Sequence, residues 1–152
     1  MSQFLKIEAF NHQLDHQYNQ KPYQHESKGI EISVWIEFLN NKLTNFDEIF
    51  IWVYQIRIEN HNKFPIKLIS RHFKIIDQNG DIKEVNDEGI IGEQVEIESQ
   101  KSFQYCSGVH LKYPSGIFIG NYLIKNLENN KEFEVDIPRF SLDIPQISTV
   151  LN

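Results

Sequence analysis

An antiparallel β-sandwich is the fold this sequence predicts, on three observations. Apolar and polar residues alternate in one short run after another, turn residues separate the runs at regular intervals, and no stretch of ten residues carries a helical period. The chain has 152 residues, 40% hydrophobic and 24% charged, which fits one globular domain large enough to bury a substantial core.

The first strand is expected over 30–38, where Ile30, Ile32, Val34, Ile36 and Phe38 alternate with Glu31, Ser33, Trp35 and Glu37; a period of two turns one face inward. A polar gap over 40–47 precedes a long strand at 49–59. There Phe50, Trp52, Tyr54, Ile56 and Ile58 share the core parity and Gln55, Arg57 and Glu59 the other. A third strand at 65–76 runs into Asp77, Gln78, Asn79, Gly80 and Asp81, and Asn-Gly suits a tight hairpin turn. Further strands are expected at 82–85, 95–98, 102–106, 117–125 and 132–137. Val135, Ile137, Phe140, Leu142 and Ile144 place the following segment against a sheet, with Pro138 and Pro145 interrupting the ladder.

Residues 1–28 read as a polar N-terminal extension and 29–152 as the sandwich domain. In the extension Lys6, Lys21 and Lys28 balance Glu8, Asp15 and Glu26. The formal charge of −6 disfavours a nucleic-acid partner, because a phosphate backbone repels it. No apolar run approaches the roughly 20 residues of a spanning helix, and no secretory signal is evident, so a cytoplasmic protein without a membrane partner is expected. The lone Cys106 precludes an intramolecular disulfide.

The order of several phrases is more specific: residues 68–77 (LISRHFKIID), then Asn79-Gly80, residues 89–94 (GIIGEQ) and residues 103–108 (FQYCSG). Pro114-Ser115-Gly116, Gly120-Asn121-Tyr122 and residues 137–142 (IPRFSL) follow in order. Over residues 29–145 the chain resembles the ApaG family. That resemblance implies a fibronectin type III-like (immunoglobulin-like) sandwich, a genetic association with cobalt and magnesium resistance, and, from related domains attached to F-box proteins and a polymerase delta-interacting protein, an interaction role. It brings no established catalytic constellation. The family's glycine phrase, G-x-G-x-x-G, reads Asp87-Glu88-Gly89-Ile90-Ile91-Gly92 here, with an aspartate for its first glycine, and Val95 stands for a proline.

No catalytic residue, metal ligand or cofactor is assigned. A dinucleotide site needs its glycines between a strand and a helix, whereas this phrase leads into the strand-like Val95-Glu96-Ile97-Glu98. The loop residues Asp87, Glu88, Gly89, Gly92, Glu93 and Gln94, with Ser107 and Gly108, are the candidate ligand- or partner-binding group. Ser70, Arg71 and His72 are read as a structural motif. A protein partner is the leading expectation. Weak binding of Mg²⁺, Co²⁺ or pyrophosphate at the same loop is the alternative, since carboxylates suit hard cations and loop amides suit anions. His12 and His16 are read as solvated, and Trp35, Tyr18 and Tyr23 as surface aromatics.

Overall fold

The computed structural model describes residues 21–43, 45, 47–90 and 92–145. Ten strands are present among them: β1 (Tyr23–Ser27), β2 (Ile30–Leu43), β3 (Glu48–Asn60), β4 (Ile66–Asp77), β5 (Ile82–Glu88), β6 (Glu96–Ile97), β7 (Ser102–Leu111), β8 (Gly116–Asn126), β9 (Glu132–Asp136) and β10 (Phe140–Leu142). One sheet runs β1-β2-β3-β7 and the other β10-β8-β4-β5, with β6 paired to β4 and β9 to β8. Every pairing is antiparallel.

The expected alternation packs the two sheets together. Ile30, Ile32 and Val34 from β2 meet Trp52, Tyr54, Ile56 and Ile58 from β3, and Ile66, Leu68, Phe73 and Ile75 from β4 close the core with Phe118, Tyr122 and Ile124 from β8. Phe118 anchors an aromatic row, edge-on to Tyr54 and Phe73 at 5.2 Å each and stacked on Phe140 at 4.6 Å. Such pairs add about 0.5–1.5 kcal/mol beyond area burial. The row also explains why the segment after Pro138 lies against the sheet: Phe140 and Leu142 carry β10 onto β8.

Several strands outrun their sequence limits. β2 continues through the polar gap to Leu43, past a register shift between Phe38 and Asn40, because β3 offers partners down to Glu48. The first sheet begins at Tyr23, ahead of the Gly29 boundary. Lys28 and Gly29 both take positive φ (52° and 75°) and close a two-residue hairpin between Ser27 and Ile30, a turn whose twist matches the strands. Lys-Gly is a weaker signal for it than Asn-Gly. At the β4–β5 turn only Gly80 of the Asn-Gly pair has positive φ, at 88°. Asp77 Oδ1 instead accepts from the Asn79 and Asp81 amides at 2.9 and 3.0 Å and shapes a wider loop.

Asn60 ties one pole of the sandwich. It is fully buried, its Nδ2 donates to the Phe64, Ile97 and Glu98 carbonyls at 2.9–3.3 Å, and its Oδ1 accepts from the Asn62 amide at 3.0 Å. One side chain thereby links the β3–β4 connection to the segment before β7.

Gly120 on β8 lies opposite Phe73, and a Cβ there would sit 2.4 Å from the His72 carbonyl oxygen and 2.9 Å from Phe73 Cα. Backbone cannot move aside cheaply, so Gly120→Ala is expected to cost about 1–3 kcal/mol. A urea unfolding curve matching the wild type would contradict this packing.

Candidate functional site

A β-bulge decides the chemistry of β4. Its pairing with β8 skips Ile69, between Leu68 and Ser70, and an extra residue exchanges the faces of everything beyond it. Ile66 and Leu68 face the core before the bulge, and Arg71, Phe73 and Ile75 face it afterwards. Ser70 and His72 take the opposite face.

Arg71 is 1% exposed. Its Nη2 donates to Asp87 Oδ2 on the neighbouring β5 at 2.8 Å, and its guanidinium lies 5.5 Å from the Phe73 ring centre and 5.9 Å from that of Tyr105. Tyr105 and Tyr122 share a short hydroxyl–hydroxyl hydrogen bond across the sheets. Burial opposes the Arg71 charge, but Tyr105, Tyr54 and Asp87 favour it more, and its pKa rises. Burial likewise pushes the phenols of Tyr54, Tyr105 and Tyr122 above the ordinary value of 10.0, against an opposing pull from Arg71.

Beside this network a cleft of about 310 Å³ opens between β5 and β7, lined by Tyr54, Lys83, Asn86, Asp87, Val109 and His110 among others. Lys83 Nζ crosses from β5 to donate to the His110 carbonyl at 3.0 Å. Burial lowers the Lys83 pKa, and burial together with the Lys83 charge lowers that of His110.

The glycine loop connects to the bulge. Gly89 N donates to the Ile69 carbonyl at 2.7 Å, and Ile90 and Glu93 exchange backbone bonds at 2.7 and 3.0 Å. Gly89 has φ of 63°, and a Cβ there would lie 2.0 Å from the Glu93 carbonyl oxygen. Gln94 Nε2 reaches Glu88 Oε1 and the Ile69 carbonyl at 3.3 and 3.4 Å. The Ile90 and Glu93 amides therefore close the loop on itself, and the Gly89 amide clips the bulged Ile69 in place.

The candidate residues thus separate. Asp87 and Gly108 line the cleft; Glu88 and Gln94 brace the loop; Gly92 and Glu93 are exposed at its tip; Ser107 is buried directly opposite Tyr54. Among the described residues Asp87, Glu88 and Glu93 form no group of converging ligand atoms, whereas Glu26, Glu31 and His61 bring theirs within 4.8 Å of one another. Lys83, Tyr105 and Tyr122 were missed as site residues, although both tyrosines lie inside the family phrases, and Tyr54 was read only as a core residue. Trp35, expected at the surface, is 6% exposed, while Tyr23 is 42% exposed. His12, His16 and Tyr18 lie outside the described residues.

A family model described as the ApaG domain matches residues 41–126. Protein ApaG of Agrobacterium fabrum is 38% identical over 130 residues, which is 86% of this chain and 99% of that protein. This chain belongs to the ApaG family. Protein ApaG of Maricaulis maris is 42% identical over 123 residues, 81% of this chain and 94% of its own length. The solved structure of the ApaA protein from Bordetella pertussis matches with a TM-score of 0.71 at 30% identity, covering 83% of this chain and 98% of that one. The bulge, Arg71, Asp87, the glycine loop, Tyr105 and Tyr122 all fall within the ApaG-matched residues.

Two outcomes follow. Asp87→Ala strands a buried guanidinium without its carboxylate and is expected to cost about 2–4 kcal/mol, between exposed and buried pairs, while the Arg71→Met/Asp87→Ala double variant loses less. Equal losses by urea unfolding would remove the charge from the account. The three phenols ionise more readily in the unfolded chain, so stability is expected to fall as pH rises past about 10. Tyr105→Phe should flatten that fall in alkaline denaturation curves, and an unchanged slope would refute the assignment.

Proposed function

We propose that this ApaG-family chain is a non-catalytic interaction module that holds a protein partner along its β5–β7 side. The observation that carries this reading is topological. The strands β5 and β7 terminate the order of their respective sheets and flank the cleft. A strand at a sheet's end offers unpaired backbone groups to an incoming segment. The cleft beside it combines apolar walls from Tyr54, Val109 and Phe118 with charges from Lys83, Glu84 and Asp87, a mixture suited to peptide side chains.

The arrangement around the potential nucleophiles supports a non-catalytic role. Cys106 and Ser107 are neighbours on β7, where alternation sends them to opposite faces, and Ser107 faces Tyr54 rather than a base. The cation and pyrophosphate reading receives less support, since Asp87 is engaged by Arg71, Glu88 by Gln94, the Gly89 amide by the Ile69 carbonyl of β4, and the Ile90 and Glu93 amides by each other's carbonyls.

The test is a pull-down from lysate of the source cells with the wild type, with Glu84→Lys/Asn86→Lys on the cleft, and with Glu128→Lys on a distant turn. The cleft variant should lose wild-type partners that the turn variant keeps. Retention of every partner by a folded cleft variant would overturn this surface, and saturable calorimetric heats with Mg²⁺, Co²⁺ or pyrophosphate would favour the ligand reading instead.

A further inference from the structure

One end of the first sheet gathers metal-ligating groups that neither the cleft nor the glycine loop uses. Glu26 on β1 lies directly opposite Glu31 on β2, and Glu31 directly opposite Glu59 on β3. Like charges in such a row destabilise a sheet. Arg57 answers Glu59, its Nε 3.5 Å from Glu59 Oε2, whereas the Glu26–Glu31 end of the row meets His61. One ligand atom from each of Glu26, Glu31 and His61 lies within 4.8 Å of the other two. The backbone holds His61 in this place: its N–H donates to the Gly29 carbonyl at 2.8 Å, and the neighbouring Asn62 Nδ2 donates to the Lys28 carbonyl at 3.1 Å. A Cβ on Gly29 would sit 2.2 Å from Asn62 Oδ1, so a glycine in the β1–β2 turn lets the two segments meet.

We propose that Glu26, Glu31 and His61 form a binding site for a divalent transition-metal ion of the zinc kind. The deciding distance runs from His61 Nε2 to Glu31 Oε1, 3.4 Å. A charge-assisted hydrogen bond is shorter, about 2.7–2.9 Å. Two donors on one tetrahedral ion, each at about 2.0–2.1 Å from it, stand roughly 3.3 Å apart, so this pair is already spaced as two corners of a coordination shell. Glu26, exposed on a strand at the sheet's end, closes the third corner by side-chain rotation, and water takes the fourth. One imidazole beside two carboxylates selects the class of ion, because imidazole suits zinc-like ions whereas Mg²⁺ and Ca²⁺ take oxygen ligands. The ion joins β1, β2 and the β3–β4 connection, and so staples the terminal hairpin to the rest of the sheet.

The test titrates the full chain with Zn²⁺ against a chromophoric chelator. The tightest site of the wild type should weaken by at least about tenfold in His61→Ala and in Glu31→Gln, with the circular dichroism of the wild type preserved. Glu26→Gln, at an exposed position, repeats the test without touching the interior of the sheet. Affinity should be unchanged in Glu93→Gln and in His12→Ala/His16→Ala. Zn²⁺ should also raise the thermal midpoint of the wild type and leave that of His61→Ala in place. Absence of saturable Zn²⁺ binding by the wild type overturns the proposal, and so does wild-type affinity in His61→Ala. Loss of the tightest site in His12→Ala/His16→Ala overturns it as well, because the ion would then sit on those histidines.

Discussion

Burying a guanidinium between two sheets is the constraint on which much of this domain depends. Arg71 occupies a core position because one extra residue at Ile69 reverses the facing of β4, and a charge placed there demands compensation. Asp87 supplies the counter-charge from β5, while Tyr54 and Tyr105 favour the cation. The polar cluster thus binds β4, β5, β3, β7 and β8 into one arrangement, and a slip of register in any of them would break it.

The glycine loop belongs to the same arrangement. Its tight turn returns Gly89 N and Gln94 Nε2 to the carbonyl of the bulged Ile69, satisfying an acceptor that a regular ladder would otherwise occupy. A phrase that suggests phosphate binding by its glycines acts here as a clip. Its glycines are needed where Gly89 comes too close to Glu93 for any side chain. The aspartate in the place of the family's first glycine is Arg71's partner, so that departure has a physical role in this chain.

Holding Arg71 inside also shapes the open side of the sandwich. Asp87 reaches inward from β5, and Lys83 bridges to β7, leaving a cleft of mixed apolar and charged lining between two terminal strands. On the opposite face of the first sheet Trp35, Val53, Gln55 and Cys106 are buried despite their outward parity, and the Arg57 guanidinium lies 5.0 Å from the Trp35 ring centre.

The sequence by itself determined the strand content, the core parity of β2 and β3, the β4–β5 turn and the ApaG kinship, because a period of two and turn chemistry are local properties. It did not determine which way Arg71 points. Alternation along a strand sets it opposite Ser70 and His72, but which of those faces is the core depends on the bulge at Ile69, and that exists only through pairing with β8. Tyr105 and Tyr122 are legible only as members of the family phrases; their shared hydrogen bond requires two strands from different sheets to meet. Trp35 was misplaced at the surface because outward parity normally means solvent, and burial of an outward face is decided by what lies over it. Local spacing sets each residue's direction, and only the tertiary structure decides what stands there to meet it.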